Sequence, residues 1–536
     1  MSKKTFGVML DMSRNAVMQP SQVNKLVDYL ASFGYNMIQL YTEDTYKVDN
    51  EPYFGYLRGG YTKEEIRAID KHCQEKGVEL VPCIQTLAHM GAIFKWFEYR
   101  PVNDINDILL IDEPRTYQLI DNMFATLADS FSSRKVHIGM DEAHMVGLGK
   151  YMDKYGICNR YELLKKHLAK VVEIAKKYGF EPIMWSDMFF RMANKGEYYG
   201  RKVQLPKEAV EEVPDVSLVY WDYYHTKKAD YRAMVKAHKK FGKDIWFAGG
   251  AWSWVGFVPA NRYTLQTMKP AMDVCREEGI ENVFLTLWGD NGKECSFFSL
   301  LPSLYYIKRY YDGVRDRKQI AAEFEALTGE SFERMMNTDD PNYVGGNKEG
   351  FRNPSRYMLY SDPFYGFLDT QVKEGVTKQY RKLARRFSSY AKQSENFGYI
   401  YDVYAKLCRT LSYKYDLGVR MREAYQSKDT AALQRAVADL KKTEKALGEF
   451  FKAFRKLWYT ENKPNGFEVQ DIRFGGLMQR LKSCEERLQA YLDGEICELP
   501  ELDEVLLDFW GNFEKYDKHT PTRQHWGLTV TANQME

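Results

Sequence analysis

The sequence predicts an α/β chain, a (β/α)8 TIM barrel followed by an α-helical C-terminal domain. Three observations carry that prediction. Between residue 4 and about 310, eight short apolar, β-rich runs alternate with amphipathic segments. Several of those segments end in a glycine just before the next run, a helix stop followed by a strand. Beyond that point the strand-like runs cease and long helical patterns take over.

The expected strands are 5–11 (TFGVMLD), 36–41 (NMIQLY), 78–84 (VELVPCI), 135–140 (KVHIGM), 182–187 (PIMWSD), 217–221 (SLVYW), 245–250 (IWFAGG) and 282–288 (NVFLTLW). Helical patterns such as PSQVNKLVDYLASFG, TKEEIRAIDKHCQEKG and NRYELLKKHLAKVVEIAKKYG lie between them. The fifth helix is the weak one, with PKEAVEEV the only candidate between strands five and six. A doubly wound sheet is the rival architecture. Nothing in the first strand–helix turn resembles a GxGxxG phosphate loop, which disfavours it.

A chain of 536 residues exceeds one ordinary core, and the expected division is a barrel over 1–312 and a helical domain over 313–536. A Gly-, Asn- and Pro-containing stretch, 337–358, reads as a long loop, and helical patterns with apolar positions at three-to-four spacing follow it. Their basic runs after 380 read as solvated faces. This domain is expected to dock on the barrel or to build a homodimer contact.

A formal net charge of +2 offers no electrostatic argument for nucleic acid or membrane as a partner. Eight cysteines without a CxxC pair, no secretory leader pattern and no membrane-length apolar run lead to the expectation of a reduced, cytoplasmic protein. The histidines His89, His137 and His144 form no HxxxH or HxH pattern, so neither a metal nor another cofactor is expected.

In a (β/α)8 barrel, chemistry gathers where the C-terminal ends of the strands meet their loops. The first expected strand end carries Asp11 and Arg14, the second Glu43 and Asp44, the third His89, and the fourth, in HIGMDEAH, Asp141 and Glu142. The fifth carries Trp185 and Asp187, the sixth Trp221, Asp222, Tyr223 and Tyr224, the seventh Trp252 and Trp254, the eighth Trp288 and Asp290. Indoles beside carboxylates suit a sugar, whose rings offer apolar C–H faces within a belt of hydroxyls. Other readings compete residue by residue. Asp141 and Glu142 alone would pass for a surface turn, Arg14 for an ion pair with Asp11 or Glu43, His89 and His137 for core histidines, and Asp187 and Asp222 for helix caps.

These residues resemble glycoside hydrolase family 20, the β-N-acetylhexosaminidases. The family motif H-x-G-G-D-E matches HIGMDE except that Met140 replaces the second glycine. The strand-one arginine in DMSRNAV, the tryptophans of strands five and six, and LWGD at strand eight follow in family order, and the resemblance spans residues 4 to about 300. The nearest branch is bacterial, without the usual N-terminal domain and with a helical C-terminal one. The resemblance implies exo-acting, retaining removal of a terminal β-linked N-acetylhexosamine. In that scheme the substrate's 2-acetamido oxygen is the nucleophile, and no enzyme carboxylate attacks. Glu142 would be the general acid and base, kept protonated by partial burial and by its negative neighbour. Asp141 would hold the acetamido N–H and stabilise the oxazolinium intermediate. Arg14 would take O3 and O4, Asp290 O4 or O6, and Trp185, Trp221, Trp252 and Trp288 would wall the pocket, with His89 at its edge. The family's acetamide tyrosine usually comes from the strand-seven region, which has none in this sequence, so Tyr223 is the expected substitute. Two alternatives stay open: a conventional carboxylate pair, with Glu142 as acid and Asp290 as nucleophile, and a sugar-binding protein without catalysis.

Overall fold

The computed structural model describes residues 4–511, 526–531 and 533. Strands and helices alternate: β1 (Thr5–Asp11), α1 (Pro20–Ser32), β2 (Met37–Tyr41), α2 (Lys63–Glu75), β3 (Glu79–Cys83), α3 (Pro114–Ser130), β4 (Lys135–His137) and α4 (Arg160–Lys177). Then follow β5 (Glu181–Trp185), α5 (Asp187–Ala193), β6 (Ser217–Trp221), α6 (Lys228–His238), β7 (Ile245–Gly250), α7 (Asn261–Glu278), β8 (Asn282–Leu287) and α8 (Leu301–Tyr311). The strands pair in parallel and in sequence order, and β1 also pairs with β8, which closes the barrel. Val8 thus faces Ile38 on one side and Leu285 on the other. Every residue of β1 is buried, as expected where a parallel strand is covered on both faces.

Local chemistry fixes the helix ends. Thr62 and Glu65 exchange the reciprocal bonds of a capping box at the start of α2. Pro20 and Pro114 open α1 and α3 at positions whose N–H has no helical partner. After α2, Gly77 takes a left-handed φ of +70° and turns the chain into β3.

Two expected elements differ. Strand β4 ends at His137 instead of running to residue 140, because Gly139 and Met140 both adopt φ near +72° and cannot continue an extended chain. The fifth barrel helix is α5, directly after β5, while PKEAVEEV supplies only the single turn Lys207–Val210. At seven residues, α5 is too short to display a helical period in sequence.

The chain forms two compact units. The first comprises residues 1–251, 264–288 and 304–320, and the second 252–263, 289–303 and 321–536. The division therefore falls near 320 instead of 312, and the second unit also takes in the segments that follow β7 and β8 in sequence. Its helices include α9 (Arg317–Thr328, begun in the first unit), α10 (Val376–Gln393), α11 (Gly398–Lys414), α12 (Leu417–Gln426), α13 (Thr430–Glu461) and α14 (Phe467–Leu492). Helix α11 packs on α10 and α13, and α13 packs on α14. Phe257, Phe450, Phe454 and Phe474 share the resulting core. Of α10 only Val376, Tyr380 and Phe387 are buried, so its basic residues sit on the outer faces of the helix. Six of the eight cysteines are buried, and all eight are free thiols. Among the described residues no helix is long and apolar enough to cross a membrane.

Candidate active site

The adjacent acids lie on the turn that ends β4, and that turn is strained. Met140 has φ +72° and Glu142 φ +53°, left-handed conformations that cost a residue with a Cβ roughly 1–2 kcal/mol each. Both strained N–H groups are captured by side chains from the flanking strands. Met140 N–H donates to Gln85 Oε1 (3.1 Å), just after β3, and Glu142 N–H donates to Asp187 Oδ2 (3.1 Å), just after β5. At Gly139 a glycine is required twice over. Its φ is +72°, and a Cβ there would come within 2.0 Å of Gln85 Oε1.

Gln85 carries more than the turn. Its amide donates to Asp141 Oδ1 (2.7 Å) and to the Tyr41 hydroxyl (3.0 Å). Tyr41 in turn donates to Glu43 Oε1 (2.8 Å), which also accepts from Arg14 Nη1 (2.8 Å). The far oxygen of Asp141 faces His89 Nε2 at 3.3 Å. Burial works to lower the His89 pKa, but the charge and hydrogen bond of Asp141, together with the charge of Glu43, outweigh it and push the imidazole up to about 10. Burial likewise works to raise Asp141, and the imidazolium with the Gln85 amide holds it below the ordinary carboxylate value instead. Asp141 is thus a fixed, buried anion. Arg14 makes the ion pair with Glu43 that the sequence offered as its alternative reading, yet its side chain stays 30% exposed.

Glu142 is the opposite case. Its side chain is 43% exposed, with Arg191 Nη2 at 3.5 Å and His89 Nε2 at 3.9 Å. The side chain is therefore about half-buried, and the charged groups nearest it are Arg191 and His89. Arg191 is held by the same Asp187 oxygen that receives the Glu142 amide, at 3.0 Å. Asp187 is therefore not the cap of α5, whose N-cap is Ser186. Its carboxyl is fully buried, and burial first, then the Asp141 charge, push it up to about 7 against the pull of Arg191.

Aromatic side chains adjoin this network. Trp185 lies against His137 (centroids 4.3 Å apart) and Trp288 (6.2 Å), and Trp288 meets Tyr41 edge-on at 4.9 Å. The buried Trp185 Nε1 has no hydrogen-bond partner among the described residues. His137 accepts the Gly139 N–H, and burial, only partly opposed by the Asp141 charge, pushes it down to about 3, so it is a neutral core histidine. Trp221 sits under the Arg191 guanidinium at 5.9 Å and stacks on Tyr223 at 5.5 Å. Asp222 binds its own turn, accepting from Tyr224 N–H and facing His225 Nδ1 at 2.8 Å.

Eight of the ten expected site residues, Arg14, His89, Asp141, Glu142, Trp185, Trp221, Tyr223 and Trp288, thus join one network within the first unit. The other two lie in the second unit. Trp252 is only 3% exposed, stacked on Trp254 at 4.4 Å and flanked by Tyr263 and Phe351. It is packed among aromatic rings there, apart in sequence from the network of the first unit. Asp290, with φ +36°, belongs to the segment after β8. Sequence reasoning missed Gln85 and Arg191. A search for titratable groups passes over a neutral amide, and Arg191 sits on the helix that sequence did not identify. Among the described residues no group of three His, Cys, Asp or Glu side chains could hold a metal ion.

A closed barrel with paired carboxylates and indoles at its C-terminal strand ends has the make-up of a carbohydrate-handling barrel protein. Comparison gives the family. Residues 6–234 match the glycosyl hydrolase family 20 catalytic domain, and residues 330–520 match the glycoside hydrolase 20C C-terminal domain. The chain belongs to glycoside hydrolase family 20. A beta-hexosaminidase of Akkermansia muciniphila is 23% identical over 234 residues, covering 36% of this chain and 45% of that protein. Hexosaminidase D of Homo sapiens is 22% identical over 308 residues, covering 53% of this chain and 60% of that one. The chain thus spans about half the length of these relatives. Among solved structures, an exo beta-N-acetylglucosaminidase from Vibrio harveyi in complex with N-acetylglucosamine is 16% identical, with TM-score 0.47, covering 61% of this chain and 58% of that one.

Proposed function

We propose that the protein is an exo-acting, retaining β-N-acetylhexosaminidase that removes terminal β-linked GlcNAc or GalNAc by substrate-assisted catalysis. The observation that carries this reading is the contrast between the two neighbouring acids. Asp141 is buried, ionised and fixed by Gln85 and His89, whereas Glu142 stays half-exposed on a pinned backbone. A fixed anion suits a group that binds an amide N–H and faces a developing positive charge. A reachable carboxyl suits a group that passes a proton to and fro.

The chemistry then balances as follows. The acetamide oxygen attacks C1, the bond from C1 to the glycosidic oxygen breaks, and its electron pair takes the proton of Glu142. Asp141 accepts the acetamido N–H and stabilises the cationic oxazolinium ring. Water next attacks C1 while the Glu142 carboxylate takes its proton, and the C1–oxazolinium oxygen bond breaks to restore the acetamide. Two displacements at C1 give net retention. Arg14, oriented by Glu43 and 30% exposed, carries a guanidinium fork whose geometry suits the neighbouring ring hydroxyls O3 and O4. Free, largely buried thiols fit a reducing, cytoplasmic location. The test is hydrolysis of an aryl β-N-acetylglucosaminide beside the aryl β-glucoside. Only the first should turn over, and Glu142→Gln should abolish cleavage of glycosides with poor leaving groups while sparing binding. Equal rates on both substrates would refute the reading.

A further inference from the structure

An exposed aromatic cluster lies between the loop after β2 and the loop after β3. Tyr53 and Tyr56, 44% and 45% exposed, meet Trp96 at centroid distances of 5.8 and 5.3 Å and each other at 6.1 Å. Phe97 follows at 74% exposure. Half-exposed rings gathered on one another in a single surface patch are of the kind that marks a binding surface. The cluster is also rigidly founded. Buried Glu51 accepts from Tyr99 (3.0 Å), from Asn122 (2.8 Å) and from both ends of Arg115 (2.7 and 2.6 Å), tying the first loop to the second and to α3. Arg58 donates to Asp44 and to Ser13 O, beside Arg14, and an added Cβ at Gly55 would strike Asp44 O at 2.0 Å.

Both loops start at the site. The first leaves Glu43, the partner of Arg14. The second leaves His89, which stands 3.9 Å from Glu142, and reaches Trp96 seven residues on. Glu142 is the group that would meet the glycosidic oxygen, and the loop that carries Trp96 begins beside it, at His89. Resting on the function proposed above, we infer that Trp96, Tyr53 and Tyr56 form a platform for the sugar residues on the leaving-group side of the scissile bond. Flat rings with polar tips suit the alternating C–H faces and hydroxyls of a glycan chain. The preferred substrate class is then an oligosaccharide instead of a single aryl- or alkyl-linked sugar.

The experiment compares kcat/KM on an aryl β-N-acetylglucosaminide, which has no further sugars, with kcat/KM on a β-linked N-acetylglucosamine trisaccharide. In Trp96→Ala and, separately, Tyr56→Ser, the trisaccharide value should fall about two- to tenfold, through KM, while the aryl substrate keeps its wild-type value. Parallel losses on both substrates would reveal a purely structural role and overturn the platform. Unchanged values on both would do the same. Sedimentation of wild type and Trp96→Ala settles the competing occupant, since a dimer that the substitution dissolves would mean that a second copy covers the rings. Failure of the underlying function shows itself differently, as a wild-type protein inert toward the aryl substrate.

Discussion

Replacing Gln85 by methionine keeps the length of the side chain and removes its three hydrogen bonds. The Met140 N–H would then be buried without an acceptor in a left-handed conformation, at a cost of about 1–3 kcal/mol. Asp141 would lose a 2.7 Å bond to its carboxylate, an interaction of about 1.5–3 kcal/mol. If Asp141 stabilises the transition state from a fixed position, that second loss appears in the barrier, and kcat should fall by about ten- to a hundredfold. KM for the same substrate should move far less, because Arg14 and the indoles are untouched. The assay is steady-state hydrolysis of an aryl β-N-acetylglucosaminide, with a urea unfolding midpoint for the stability component. A kcat within about twofold of wild type, with the midpoint lowered, would show that Gln85 supports the fold and not the reaction.

Further expectations concern the same turn. Gly139→Ala places a methyl 2.0 Å from Gln85 Oε1 and adds left-handed strain of roughly 1–2 kcal/mol, so its kcat should drop at least as far as that of Gln85→Met. Asp187→Asn keeps an oxygen for the Glu142 N–H but leaves Arg191 uncompensated beside Glu142. The alkaline limb of its pH–rate profile should shift to lower pH, and Arg191→Met should shift it the other way; shifts of one sign for both would refute the clamp. The His89–Asp141 pair sets a pH window. The imidazole stands near 10 when folded against about 6.5 when unfolded, so its contribution is full below about 6.5 and is lost as pH rises through about 10. The stability gap between wild type and His89→Gln should therefore narrow over that interval in urea titrations at stepped pH, and a gap that widens would contradict the assignment.

The barrel was legible because eight parallel strands buried on both faces leave eight apolar runs, and glycine stops mark where helices give way to them. The two acids were legible because their position at the fourth strand end coincides with indoles and carboxylates at the other ends. What sequence could not deliver is how the turn is held. Met140 and Glu142 take φ values that their side chains do not advertise, since the strain is offset by Gln85 for the first and Asp187 for the second, residues 55 and 45 positions away. Trp252 shows a different limit. An indole just past a strand end reads the same whether it faces a ligand or a core, and only the neighbouring rings of Trp254, Tyr263 and Phe351 distinguish the two. The second unit's use of the segments after β7 and β8 was equally hidden, because a loop's composition does not reveal which core it joins.

The identity of the nucleophile is tested most directly by a series of aryl glycosides whose N-acyl group carries none, one, two or three fluorines. Each fluorine withdraws electrons from the amide oxygen while leaving the leaving group, Glu142 and the ring hydroxyls unchanged. Participation of that oxygen requires kcat/KM to fall steeply and monotonically along the series. A flat series would mean that the amide oxygen is not the nucleophile, and the role of Asp141 as amide acceptor would fail with it.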